Sequence, residues 1–225
     1  MKEKILIIIL LSFISKFGVA QIFDKYWFNI GTTYSNQLWD YKLISVDNPN
    51  KEYKVGLSVF LSAERKINKK LSIRPEIGYI QKGFKNDIEY KLYDGTSAGT
   101  TNGNVVFHDF GFNIGLKITP FNLKFSPYAL LGLRSDYMFS YKDIIFVENV
   151  SGLEFNIYKD QIDKFNKFNI GGMIGIGIDL NSLTYLEFAY NPTLTNSYND
   201  TGLQIKDNSM ELKLGFNLNK LIEKK

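Results

Sequence analysis

The stretch Asn169-Ile-Gly-Gly-Met-Ile-Gly-Ile-Gly-Ile-Asp-Leu180 sets four glycines among apolar residues. Three structures fit such a run at first sight: a phosphate-binding loop, a helix face that pairs in a membrane, and a strand. A phosphate loop needs a helix start after the glycines, because the N–H groups of the first helical turn hold the anion. Here Ile178-Asp-Leu-Asn-Ser-Leu183 leads into a tight turn and another alternating segment. A helix-pairing face from Gly171 to Gly175 needs a long apolar helix, and Asp179 closes the run too soon. As a strand, the stretch divides by parity. Ile170, Gly172, Ile174, Ile176 and Ile178 form an apolar row, and Asn169, Gly171, Met173, Gly175, Gly177 and Asp179 form the other. The three glycines of the second row leave room for bulky side chains from other strands, or permit sharp curvature.

Period-two alternation recurs along the chain and predicts eight strands. They lie near 26–35, 53–67, 71–82, 104–119, 125–141, 165–180, 183–191 and 209–218. The connections after the second, fourth and sixth are tight: Asn68-Lys69-Lys70, Pro120-Phe121-Asn122 and Asn181-Ser182. The others, 36–52, 83–103, 142–164 and 192–208, are long and polar. Strict short-long alternation predicts an all-β fold, an eight-stranded antiparallel up-and-down transmembrane β-barrel, with both termini at the short-turn end.

Parity also assigns faces. Val55, Leu57, Val59, Leu61 and Ala63 oppose Gly56, Ser58, Phe60, Ser62 and Glu64, and the fourth, fifth and eighth segments split in the same way. A soluble lipocalin-like barrel with its apolar row inside shows the same alternation, so parity alone leaves the two arrangements open. Three features favour the membrane version. The apolar rows run for about five positions, near what a tilted strand needs to cross hydrocarbon. Aromatics such as Tyr26, Trp27, Tyr34, Tyr79, Phe121, Phe125, Tyr137 and Tyr190 sit at their ends, where interfacial girdles belong. The polar row carries both signs: Glu64, Arg74, Glu76, Lys82, Asp109, Lys117, Arg134, Asp136, Asp179, Glu187, Glu211 and Lys213. These are the candidate interior network, pairs that fill a narrow lumen. Pro75 is the misfit, four residues into the third strand, and predicts a bulge or a missing hydrogen bond there.

The N-terminus MKEKILIIILLSFISKFGVAQ joins a basic start to an apolar run and small residues Gly18 and Ala20, the pattern of a secretory signal over residues 1–20. A transmembrane anchor would need roughly 20 apolar residues, and Ser12, Ser15 and Lys16 interrupt the run. Residues 21–225 then form the barrel domain. The formal charge of +4 includes Lys2, Lys4 and Lys16 against Glu3, so the mature chain is nearly neutral. Its basic residues form no dense block, which excludes nucleic-acid binding by charge. The absence of cysteine excludes a disulfide framework and thiolate metal sites or nucleophiles.

Leu71-Ser-Ile-Arg-Pro-Glu-Ile-Gly-Tyr-Ile-Gln-Lys-Gly83, with its Pro-Glu step and terminal Gln-Lys-Gly, resembles a strand of the PorT-like outer-membrane β-barrel family of Bacteroidota. Leu186-Glu-Phe-Ala-Tyr-Asn-Pro-Thr-Leu-Thr-Asn196 is similar to that family's Glu-containing strand, with Pro192-Thr193 where the family has glycine. The likeness spans essentially the whole chain and implies a bacterial outer-membrane location; it implies no particular activity. The tail Asn219–Lys225 departs from the many barrels that end at an aromatic-terminated last strand.

Little chemistry is visible. His108, the single histidine, falls on the outward row above the apolar band with no nucleophile motif beside it, so a rim histidine is expected in preference to a Ser-His-acid set. Glu76 and Glu187 lie on different strands and form no recognisable catalytic pair. No cofactor and no metal constellation is expected, since no loop carries a calcium-binding spacing. The expected role is structural or surface-interacting, without catalysis. A narrow solute channel is the second class, and a membrane-embedded lipid hydrolase relying on His108 the third. The expected partners are outer-membrane lipid and a protein or glycan met by the loops 36–52, 83–103, 142–164 and 192–208, where Trp39, Tyr41 and Asp94-Gly95 are exposed candidates.

Overall fold

The computed structural model describes residues 22–43, 51–91, 95, 97–121, 123, 125–148 and 152–222, with side chains at all of these except 87–91 and 97–102. The expected signal segment 1–20 lies outside them. Eight of the nine strands of the main sheet form its continuous ladder: β1 (Lys25–Tyr41), β2 (Lys54–Lys66), β3 (Leu71–Lys91), β4 (Ser97–Ile118), β5 (Ser126–Lys142), β8 (Phe168–Asp179), β9 (Thr184–Pro192) and β11 (Leu203–Asn217). Each pairs antiparallel with its neighbours in that order. β1 then pairs with β11 from Trp27↔Asn217 to Tyr41↔Leu203, so the sheet closes into a ring. Between β5 and β8 the chain inserts a hairpin, β6 (Ile145–Val147) with β7 (Glu154–Asn156), and a short helix α1 (Lys159–Ile162). The two-residue β10 (Tyr198–Asn199) extends the edge beside β11, and helix α2 (Leu218–Ile222) follows β11.

The eight alternating segments are the eight ring strands, but several boundaries move. β1 continues to Tyr41, β3 and β4 run through 83–91 and 97–103, and β11 begins at Leu203. Residues 36–41, 83–91, 97–103 and 203–208 are therefore strand where loops 36–52, 83–103 and 192–208 were expected. Polar composition hid them, because a strand standing above the apolar belt no longer has to present an apolar row. Residues 44–50, 92–94, 96 and 149–151 of the expected loops lie outside the described residues. Loop 142–164 is corrected more thoroughly. Its second half folds back over the ring, where Tyr158 and Ile162 are buried.

Burial settles which face is which. Ile176 and Leu133, from the apolar rows, are 67% and 63% exposed, whereas Arg74 and Lys213 are 0% exposed. A water-soluble fold does the reverse, since charged groups are almost never fully buried and apolar patches stay small. The lipocalin-like alternative is thereby excluded.

The glycines of the opening stretch serve the narrow interior. A Cβ built on Gly177 would stand 2.3 Å from the Tyr128 ring, and one on Gly215 would stand 2.2 Å from the Tyr185 ring. Each glycine is the gap into which a neighbouring aromatic lies flat. Gly172, on the outward row of the same strand, meets nothing nearer than Pro192 Cγ at 3.7 Å.

At Pro75 there is no bulge. β2 and β3 keep one register from Ser58↔Ile80 to Lys66↔Ser72, but the pairs Ala63/Pro75 and Glu64/Arg74 are missing from the ladder. The Ile67 N–H donates to the Leu71 carbonyl at 2.8 Å. Because hydrogen-bonded pairs alternate in an antiparallel ladder, Ala63/Pro75 is such a pair. Proline has no N–H to give, and the Ala63 carbonyl loses its ladder donor.

Two substitutions on β8 test the face assignment by size and one by charge. Gly177→Val should cost about 1–3 kcal/mol by overpacking against Tyr128, while Gly172→Val should be close to neutral. Ile174→Arg should cost about 2–4 kcal/mol near the middle of the apolar belt. Denaturant titration of folding into lipid vesicles measures all three, and a larger cost at Gly172 than at Gly177 would reverse the faces.

Candidate functional site: the filled interior and its cap

The inward rows of β2, β3, β4, β5, β8, β9 and β11 bring from one to three charged groups each to the axis, and they meet in layers. Nearest the short turns, Lys117 Nζ lies 2.9 Å from Asp179 Oδ2 and 3.4 Å from Glu64 Oε2. It also sits 4.2 Å from the centre of the Tyr128 ring. The next layer is a quartet. Arg74 pairs with Glu187 and, through Nε at 3.0 Å, with Glu76, and Lys213 Nζ lies 3.0 Å from both carboxylates. Tyr128 donates to Glu187 at 2.9 Å and Tyr185 donates to Asn29 at 2.8 Å, so the phenols pack the same level. Lys213 reaches Glu211 at 3.8 Å, which leads to Arg134 at 3.2 Å and on to Asp136 at 2.9 Å. Lys82 closes the series, 3.1 Å from Asp136 and 2.8 Å from Asp109.

All twelve charged residues of the expected polar row thus point inward and join these layers, although strand assignment alone gave no partners. The carboxylates of Glu76 and Glu187, of unknown separation in the sequence, share the same two cations. Two inward groups were missed. Asp207 accepts from Gln37 Nε2 and Ser197 Oγ, both at 2.7 Å, and Lys54 donates to the Val55 carbonyl at 3.0 Å. The parity of β11, carried two turns of the pleat beyond Glu211, points to Asp207; the polar run Lys206-Asp-Asn-Ser209 had argued for a loop.

Above the ions the interior turns apolar. Trp39, Phe84, Val105, Phe107, Met138 and Ile205 project inward from the upper strands, and Ile144, Tyr158, Ile162 and Phe165 descend onto them from the insertion. Tyr158 stands edge-on to Trp39 and Phe84, with centroids 5.5 and 5.2 Å away. Its hydroxyl accepts from Asn86 Nδ2, and Lys51 Nζ lies 4.6 Å over the Trp39 ring. The Asp143 carboxylate accepts the Ile144 and Tyr158 N–H groups at 2.7 and 2.8 Å. Tyr141 donates to Asp163 at 2.5 Å, tying β5 to the end of α1. That hydrogen bond, with burial second, pushes the phenol up to about 12. The tether therefore contributes fully below the ordinary phenol pKa of 10 and is lost only as pH rises through about 12.

His108 is half-buried on the outer wall. Its Nδ1 is 2.7 Å from the Tyr79 hydroxyl and its ring stacks on Tyr79 at 5.9 Å, with Phe139 beside it at 6.2 Å. No serine is hydrogen-bonded to it among the described residues, and this aromatic setting is that of a girdle residue.

A buried ion pair is costly to break from one side, because the remaining charge keeps its desolvation cost and loses its partner. Arg74→Leu leaves Glu76 and Glu187 sharing Lys213 and should destabilise by about 3–5 kcal/mol. Lys42→Ala, which removes the exposed Lys42–Asp40 pair, should change stability by about 0–1 kcal/mol. Urea unfolding of the reconstituted protein compares the two.

Comparison with known proteins follows the architecture. Residues 19–199 match the family described as outer membrane protein beta-barrel domain. No curated protein matches the chain. Among solved structures, it is similar to the attachment invasion locus protein Ail of Yersinia pestis, at 12% identity over 86% of this chain and 98% of that one, with a TM-score of 0.43. Neisserial surface protein A is similar at 11% identity over 86% and 97%, TM-score 0.45, and OprG of Pseudomonas aeruginosa at 10% over 87% and 97%, TM-score 0.43. Likenesses of this degree carry no functional weight. The family match rests on most of the sequence: the chain belongs to the outer membrane protein β-barrel domain family, and its place is the bacterial outer membrane.

Proposed function

We propose that residues 21–225, exported by the signal segment 1–20, form an up-and-down transmembrane barrel that is closed to solutes and works through its outer cap. The observation that carries this reading is the filling of the lumen, by ion-paired side chains from Lys117 to Lys82 and by the aromatic cluster above them. An eight-stranded barrel is only wide enough for side chains to fill, so no continuous aqueous path is left. The ends of β2, β4 and β8 that lead into short connections then face the periplasm, and β6, β7 and α1 face outward. The resemblance to PorT-like barrels agrees with this arrangement.

The cap is the surface with which a partner would engage. Val147 and Phe155 of the β6–β7 hairpin are 48% and 50% exposed, and Leu43 and Leu194 rise near the same end at 79% and 63%. Apolar side chains displayed on an ordered hairpin suit a protein partner better than a glycan, which needs more polar contacts. The closed barrel is in this reading a rigid anchor for that surface.

In planar bilayers the purified protein should show no steady conductance at either polarity. Reproducible channels whose conductance changes in Arg134→Ala would replace this reading with that of a narrow solute channel. A photoreactive residue at position 155 should give one dominant cross-linked adduct in intact cells, lost in Val147→Asp, with heat-dependent electrophoretic mobility unchanged.

A further inference from the structure

The β6–β7 hairpin carries a strand edge with nothing against it. β6 and β7 form a sheet of two strands, so β7 has a ladder on one side only. β6 lies beside β4, whereas Glu154, Phe155 and Asn156 of β7 are all exposed. The ladder fixes which backbone groups are already used. The Ile157 N–H donates to the Ile144 carbonyl at 3.1 Å, and the Glu148 N–H donates to the Leu153 carbonyl at 2.9 Å. Bonded and non-bonded pairs alternate in an antiparallel ladder, so Phe146↔Phe155 is the bonded pair between those two. Phe155 therefore turns its N–H and C=O to β6. Glu154 and Asn156 turn theirs to the open side, where they have no partner among the described residues. The edge is held extended at both ends, by the Glu148–Leu153 closure and by Asp143, whose carboxylate accepts the Tyr158 N–H at 2.8 Å. Its charge has one sign: residues 143–157 contain Asp143, Glu148 and Glu154 and no lysine or arginine.

We propose that β7 takes up an extended segment of a partner protein as an added antiparallel strand, a segment in which basic and apolar residues alternate. Hydrogen bonds to the Glu154 and Asn156 backbone hold the segment, and its side chains supply the selectivity. Directly opposite residues share a face, so a basic side chain stands beside Glu154 and an apolar one beside Phe155. The edge is already extended, which lowers the ordering cost of binding. A second copy of β7 would instead bring two acidic hairpins together with no basic residue between them, and like charges across a ladder are unfavourable. The proposal rests on the cap being the partner surface, and adds how that surface holds its partner and which sequence it prefers.

Amide hydrogen exchange of the protein in lipid nanodiscs reads this edge residue by residue. Without peptide, the Phe155 amide should exchange slowly and the Glu154 and Asn156 amides fast. The probe is an acetylated peptide of alternating lysine and valine. At about ten times its Kd it should slow the Glu154 and Asn156 amides about tenfold and leave Phe155 unchanged. N-methylation of its lysine amides, which face β7 when lysine stands opposite Glu154, should abolish the effect, and N-methylation of its valine amides should not. Asn156→Pro removes an edge N–H without touching the β6 ladder, and should weaken binding about tenfold. Glu154→Lys should turn the preference toward a peptide of alternating glutamate and valine. Should Asn156→Pro disturb the hairpin, fast exchange at Phe155 reveals it, and the two methylated peptides decide on the unaltered protein. Equal action of those peptides would overturn the proposal, as would no slowing at Glu154 and Asn156. Slowing that depends on protein concentration without peptide would make a second copy the occupant and overturn it too. A single adduct at position 155 in cells, with no slowing by the peptide, would keep the cap as the partner surface and remove the added strand.

Discussion

The constraint on which the rest depends is that no backbone N–H or C=O can stay unpaired in hydrocarbon. The pairing of β1 with β11 over fifteen residue pairs, Trp27↔Asn217 to Tyr41↔Leu203, removes the two sheet edges that would otherwise face lipid. Closure with eight strands makes a narrow ring, and a narrow ring has to be filled from within. The inward glycines, the flat-lying Tyr128 and Tyr185 and the charged layers are three responses to that one restriction. Large rings and long charged side chains share a small cross-section only if other inward positions carry no side chain at all.

The ionic layers cost desolvation, and their attraction offsets that cost only where each charge has more than one partner. The quartet of Arg74, Glu76, Glu187 and Lys213 meets this condition by joining two members from β3 to one each from β9 and β11, more than a hundred positions further along the chain. Such a network also opposes slippage. Moving one strand by a residue turns its charges to the lipid and its apolar row to the axis. At Pro75 the ladder between β2 and β3 is interrupted, because proline has no N–H to give.

Above the apolar belt the rules relax, and the strands are longest where composition is most polar. There the inward positions become aromatic, and the insertion contributes Tyr158, Ile162 and Phe165 to a core of ordinary globular character. The molecule is therefore inside out along its belt and right side out at its cap. The transition falls near Lys82 and Phe84, consecutive inward residues of β3, one ion-paired and the other buried among rings.

The sequence by itself determined the number of ring strands, their two faces, the short-long order of connections and the identity of twelve charged inward residues. Period-two alternation and turn chemistry are local properties, legible wherever a strand crosses an apolar belt. It did not determine how far β1, β3, β4 and β11 continue, because beyond the belt neither face must be apolar and the alternation fades. Nor did it contain the pairing of Arg74 with Glu187, the descent of residues 158–165 into the mouth, or the place of Asp207. Those follow from register and closure, which set residues more than a hundred positions apart opposite one another. The opening glycines show the division clearly. Their parity could be read from twelve residues, but that Gly177 exists to admit the ring of Tyr128 became visible only when β5 was laid beside β8.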